Sequence, residues 1–291
     1  MQLRPSKNHY WLEDNINKLS KYLYCAKIAK IFKKVIKKRA TPLTKRVFLH
    51  YFQKRVALKY KVGITFPINI NKYPYLAHYV PFDKNEELGL GWTTIDFGFN
   101  LDGYTVDNMV ILNFRAKESM QKWQNHLEAL SQEILEHFSL ESNTLTIRNI
   151  GCFCQNYFNK INLYIVENLR GHSISRWTLH RRPWILHHSN NDLEELRDGT
   201  VFTIEPNTSP SQNIEILEIK NWQNAIFKLE GKNWYTSFLN EDSLSYQEFI
   251  KKLESQNKKI QEVYFPISSN KRVQAIEDTY MVINKKIVKL T

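Results

Sequence analysis

IDFGFNLDGYTVD, residues 95–107, is the stretch whose reading decides the fold. Asp102-Gly103 at its centre suits a two-residue type I′ turn, because both central residues of that turn need positive φ. Such a turn joins Leu101 to Tyr104 and folds the flanking runs, residues 94–100 and 104–112, into an antiparallel hairpin. In that register Asp96 stands opposite Met109, and Asp107 is Met109's diagonal neighbour on the same face. Diagonal neighbours lie about 7–8 Å apart, within reach for two carboxylates to converge on one or two cations. Side chains on that face are otherwise apolar, and two carboxylates there repel unless neutralised. Taken alone the pair is weak evidence, since acidic residues near a hairpin are usually solvated.

Helical periodicity marks residues 21–39, 44–59, 119–138 and 246–255, the last preceded by a Ser245-x-x-Glu248 capping box. Runs rich in Ile, Val, Tyr and Phe at 94–100, 104–112, 162–166, 201–205 and 279–287 read as strands. No Gly/Ser- or Pro-rich linker and no internal repeat divides the chain. One main domain of mixed α/β or α+β class is expected.

Composition narrows the class further. The 291 residues are 42% hydrophobic, 24% charged and 13% aromatic, enough for a sizeable core and unlike a disordered chain. No uninterrupted apolar run reaches the roughly 18 residues of a membrane span. Residues 1–15 hold Arg4, Lys7, Glu13 and Asp14 with no apolar stretch, so no secretory signal is expected. Three cysteines, an odd number, make no disulfide framework, and a reducing, cytoplasmic compartment is the expectation.

Forty-one Lys and Arg against twenty-nine Asp and Glu leave a net charge of +12. The excess is concentrated in residues 27–61, where Lys27, Lys30, Lys33, Lys34, Lys37, Lys38, Arg39, Lys45, Arg46, Lys54, Arg55, Lys59 and Lys61 occur without one acidic residue. Ile28, Ile31, Phe32 and Val35 supply the apolar face of a helix there, with lysines on the other face. Such a face serves as a solvated surface, as a contact for nucleic acid such as ribosomal RNA, or as a contact for a membrane surface.

Three further stretches carry ligand chemistry. NLRGHSISRWTLH, residues 168–180, sets His172 beside Gly171, which allows close backbone approach, and places His180 eight residues later. FTIEP, residues 202–206, ends an apolar strand on Glu205, and VQAIEDTYMVI, residues 273–283, puts Glu277 before another. An unpaired carboxylate in such surroundings is costly. Cys152-x-Cys154 lacks a partner pair and reads as a core pair, and His187-His188 reads as a strand end or loop.

The order Asp, Asp, His, Glu, Glu, each in its own local motif, resembles the methionine aminopeptidases of the pita-bread fold. The likeness is to their type II branch at FPINI (66–70), AHYVP (77–81), IDFGFNLDGYTVD and NLRGHSI, and to type I at FTIEP. It implies an α+β fold, a curved antiparallel sheet with flanking helices and a dinuclear metal site. A single catalytic domain would span 21–291, with an N-terminal extension over 1–20 and a partly helical insertion within 206–276.

The resemblance also assigns roles. Asp96 would chelate one metal ion, Asp107 and Glu277 would bridge two, and His172 and Glu205 would hold the second. His78 would contact the scissile amide, His180 the carbonyl oxygen, and Phe66 would line the methionine pocket. Two divalent ions, from among Mn, Co, Fe and Zn, match the four carboxylates in charge, and a hydroxide bridging them would attack. Glu205 is the group to take up its proton and pass it to the leaving amine. The implied substrates are N-termini of nascent proteins with a small second residue, the implied compartment cytoplasmic, and the enzyme a monomer without a membrane partner. Asp278 stands where the family usually has a second histidine, and no histidine follows His188. A proline-specific peptidase and a non-catalytic binder of RNA, ribosome or protein on the same scaffold are the competing readings.

Overall fold

Both turn residues carry positive φ in the computed structural model, 52° at Asp102 and 85° at Gly103, so the hairpin forms in the register its sequence demands. The described residues are 7–80, 83–115, 117–139, 144–220, 226–229, 234–236, 251, 255 and 260–291. The chain opens with helices α1 (Lys7–Arg39) and α2 (Arg46–Tyr60). Short strands β1 (Gly63–Ile64), β2 (Asn69–Asn71) and β3 (Tyr75–Ala77) precede the long hairpin of β4 (Gly91–Leu101) and β5 (Tyr104–Phe114). Helices α3 (Glu118–Ser139) and α4 (Ile147–Asn159) lead to β6 (Tyr164–Ile165), β7 (Gly171–Ser175), β8 (Thr178–Ile185), β9 (Val201–Ile204) and β10 (Asn207–Ser209). Then come β11 (Ile216–Glu218), β12 (Ile226–Leu229), β13 (Trp234–Thr236), β14 (Ile260–Tyr264), β15 (Ile267–Ser269), β16 (Gln274–Ala275), β17 (Asp278–Ile283) and β18 (Lys286–Lys289).

Strand β4 pairs with β5 along its whole length, Leu101 opposite Tyr104 and Asp96 opposite Met109, while β1 and β2 share its other edge. A second sheet runs in the order β18-β17-β9-β7-β8. The two meet where β5 passes β17. There the Met109 N–H donates to the Glu277 carbonyl at 3.0 Å. Thr279 Oγ1 accepts from the Asp107 N–H at 2.8 Å and donates to the Asp107 carbonyl at 2.6 Å. This seam brings Asp107 and Glu277 together.

Helices back both sheets because their apolar stripes match the helical period. Cys25, Ile28, Ala29, Phe32 and Ile36 of α1 are buried against the hairpin, and the Phe32 ring lies 4.5 Å from Phe97 and 5.0 Å from Phe52. Ile31 and Val35, expected on that face, sit half-buried at its edge. Under the second sheet, α3 and α4 pack Leu127, Ile134, Ile150 and Phe158 against Phe202 and Tyr280.

Several boundaries differ from the sequence expectation. Helix α1 begins at Lys7, so it runs unbroken across position 20. Helix α4 was not anticipated, although Ile147, Ile150, Cys154 and Phe158 share one buried face and Thr146 caps it by accepting from the Asn149 N–H at 3.2 Å. Cys154 lies on that buried stripe and Cys152 is half-buried, in line with a core pair. The strand expected over 279–287 is a hairpin, β17 and β18, turned at Asn284-Lys285 with φ of 51° and 59°. Lysine in place of the usual glycine hid that turn. The strand expected over 162–166 shortens to β6. The 246–255 helix and its capping box lie outside the described residues, apart from Lys251 and Ser255.

Candidate metal centre and substrate cavity

The β4–β5 hairpin and three segments far from it in sequence line one cavity of ≈ 390 Å³ with Asp96, Asp107, His172, Glu205 and Glu277. Strand β4 carries Asp96, β5 Asp107 and β7 His172, while Glu205 directly follows β9 and Glu277 directly precedes β17. Gly171 allows β7 to press against β9, since a Cβ there would sit 2.6 Å from the Thr203 carbonyl oxygen. Because side chains alternate along a strand, Glu277 faces the cavity and its neighbour Asp278 faces the opposite way.

The ligand-type atoms of Asp107, His172 and Glu277 all lie within 4.8 Å of one another. His172 Nε2 is 3.7 Å from Asp107 Oδ2 and 3.4 Å from Glu205 Oε1. Asp107, His172 and Glu277 are buried, with Asp96 and Glu205 half-buried beside them. Asn69 donates to Asp96 Oδ2 at 3.1 Å, and the Thr203 hydroxyl donates to Glu205 Oε1 at 2.8 Å. Among the described residues, Asp96 Oδ1 and Asp107 Oδ1 are buried without a hydrogen-bond partner.

Crowding of carboxylates has the expected electrostatic consequence. Burial lifts Asp96 to a pKa of about 7 and Glu205 to about 8. Asp107 is driven well above the carboxylate range by burial and the charges of Asp96 and Glu205, and Glu277 by burial and the charges of Asp107, Glu205 and Asp96. Burial lowers His172 to about 4, keeping the imidazole neutral and free to ligate. Four carboxylates and one neutral imidazole, with two carboxylate oxygens that meet no donor among the described residues, fit a site for divalent cations.

His78, His180 and Phe66 line the same cavity. His78 follows β3 with φ of 57°, and its desolvated ring, held to a pKa of about 4, hydrogen-bonds the main chain of Phe265. His180 on β8 sets its ring 4.4 Å from that of His172, at 82° to it.

Three features were not legible beforehand. His187, read as a strand end or loop, is buried, and its Nε2 accepts from the Glu205 N–H at 3.1 Å. Tyr264 lines the cavity from β14, in a region whose sequence offered no alignable motif. Asp278 is held by Lys33 at 2.9 Å, Lys289 at 2.6 Å and the Ser131 hydroxyl at 2.8 Å, so it is a core ion and no ligand. Burial acts to raise its pKa, but the two lysines prevail and hold it below the usual range.

Together the ligand-rich cavity and the two joined sheets are the arrangement of the pita-bread fold. A profile of metallopeptidase family M24 matches residues 24–282, and the chain belongs to that family. Methionine aminopeptidase of Pyrococcus abyssi is 30% identical over 157 residues, 52% of this chain and 51% of that protein. The chain thus spans about half the length of this curated relative in the match. Among solved structures, methionine aminopeptidase of Thermotoga maritima superposes with a TM-score of 0.68 at 15% identity, covering 94% of this chain and 96% of that one. A thermophilic Arx1 superposes with a TM-score of 0.72 at 12% identity, covering 94% and 91%. Likeness at these identities speaks for the fold.

Proposed function

We propose that this chain is a metal-dependent methionine aminopeptidase acting on N-termini of nascent proteins whose second residue is small. The observation that carries the reading is the convergence of Asp96, Asp107, His172, Glu205 and Glu277 on one cavity that His78 and His180 also line. The family match and the curated relative support it.

Asp96, Asp107 and Glu277 would hold one divalent ion, and Asp107, His172, Glu205 and Glu277 a second. Such ions, Mn, Co, Fe or Zn, lower the pKa of a water molecule and polarise the scissile carbonyl. Glu205, its carboxyl fixed by the Thr203 hydroxyl, would take up the proton of the attacking water and return it to the leaving amine. His180 donates to the carbonyl oxygen, and His78, fixed by its bond to the Phe265 main chain, orients the amide. Phe66, Leu76, Met109 and Leu179 give the cavity an apolar wall suited to an unbranched, polarizable side chain.

Side-by-side assays of Met-Ala-Ser, Met-Lys-Ser and Ala-Pro-Ser peptides with Mn²⁺ or Co²⁺ test this. Rapid cleavage of the first alone is expected. Cleavage of the last alone would make the protein a proline-specific peptidase, and cleavage of none would favour a non-catalytic binder. The exposed basic side chains of α1 and α2 are proposed to touch the ribosome or its RNA.

A further inference from the structure

His180 is the one cavity histidine whose ring nitrogen meets a side-chain hydroxyl in the described structure. Its Nδ1 lies 2.7 Å from the hydroxyl of Tyr264, which arrives from β14, 84 residues further along the chain. The Tyr264 ring sits between the two substrate-side histidines, 4.8 Å from the His78 ring and 5.1 Å from that of His180. Phe265, the next residue, hydrogen-bonds His78 through its main chain. One short stretch thus engages both histidines.

A neutral imidazole carries its proton on one nitrogen only, and the hydrogen bond at one nitrogen decides which. A phenol hydroxyl is a far better donor to imidazole nitrogen than an acceptor from it, and 2.7 Å suits a strong bond of that kind. With the Tyr264 O–H donating to Nδ1, the His180 proton resides on Nε2. An Nε2–H is what the ring needs to donate to a carbonyl oxygen that gains negative charge. The other tautomer would present a lone pair to that oxygen and repel it.

We infer that Tyr264 is a positioning residue that locks His180 as the Nε2–H tautomer and so creates the hydrogen-bond donor for the substrate carbonyl. The donor role of His180 rests on the aminopeptidase reading above, whereas the tautomer does not.

The test is nitrogen NMR of the metal-free protein labelled with ¹⁵N-histidine at pH 8, the His180 signals being assigned by their loss in His180→Gln. The expected wild-type spectrum has a bare, hydrogen-bonded Nδ1 and a protonated Nε2. In Tyr264→Phe, which keeps the ring, the two forms should mix. With metal supplied, Tyr264→Phe should lower kcat about tenfold with little change in KM, a smaller loss than removing a transition-state donor outright. The same substitution in a His180→Ala background should cost nothing more. A protonated Nδ1 in the wild type overturns the proposal even if the variants fail to fold. So does an unchanged tautomer or an unchanged kcat in a folded Tyr264→Phe protein. A wild type with the expected tautomer that cleaves no peptide would overturn the functional reading and leave the Tyr264–His180 assignment standing.

Discussion

At the scale of single residues, Glu205 shows how environment sets chemistry. Its backbone is held by His187 and its carboxyl by Thr203, and in the metal-free protein burial lifts its pKa to about 8. Glu205→Gln keeps the shape and removes the exchange. A fall in kcat of at least about 10²-fold is expected, the usual scale for a lost acid–base group. His78→Ala should cost a similar factor, because the ring is already desolvated and fixed before substrate arrives. Wild-type kcat in both variants would refute these roles. Five ligand positions could be proposed from the family likeness because each lies in a short local motif, whereas His187 looked like a loop residue until β8 and β9 were seen side by side.

Among the elements, α1 divides its positive charge between two tasks. Lys33 is turned inward to Asp278, which is 3% exposed, while Lys27, Lys30, Lys34 and Lys38 stay on the surface. Removing one partner of a buried ion group typically costs about 3–5 kcal/mol. Lys289 still faces Asp278, so Lys33→Met should lower stability by about 3 kcal/mol in denaturant titration. Lys34→Gln should stay within about 0.5 kcal/mol. Equal effects would mean that the Lys33–Asp278 pair carries no special weight. The surface lysines, with exposed Phe48 and Tyr51 of α2 nearby in sequence, belong to the nucleic-acid reading. Each phosphate contact adds about −0.7 to −0.9 to the log–log salt slope of binding. Changing Lys27, Lys30, Lys34 and Lys38 together to Gln should therefore weaken co-sedimentation with ribosomes and flatten its salt dependence. Unaltered co-sedimentation would discard the RNA contact.

For the whole molecule, the carboxylate cluster makes stability depend on pH and metal together. Asp96 and Glu205 titrate near 7 and 8 when folded, against a usual value of roughly 4 when unfolded. Between those values the folded state keeps protons that the unfolded chain has released, so this contribution to stability falls as pH rises from about 4 to 8. Chelated protein should lose Tm from pH 5 to pH 8, and saturating Mn²⁺ should raise Tm most at the upper end, where fewer protons compete. The same chelation should abolish peptidase activity and leave the far-ultraviolet circular dichroism in place. A Tm that holds steady or climbs over that range without metal would contradict the cluster's protonation. Among the described residues no helix is long and apolar enough to cross a membrane.

What the sequence by itself determined is what short-range rules govern. Asp102-Gly103 dictates the turn, the turn sets the register, and the register puts Asp96 and Asp107 on one face, as β4 and β5 bear out. The helical stripes of α1, α2 and α3 were legible for the same reason, since periodicity is a local property. Only the tertiary structure decided what depends on two strands or helices meeting. The Lys33–Asp278 pair spans 245 residues and the His180–Tyr264 bond 84, and no spacing rule foretells either. Strand alternation explains why Glu277 and Asp278, adjacent and both acidic, part ways. One enters the carboxylate cluster, where burial and like charges raise its pKa, and the other enters the core, where two lysines hold its proton off. Which face of β17 met the cavity was settled by the seam with β5, through Thr279 and the Glu277 carbonyl.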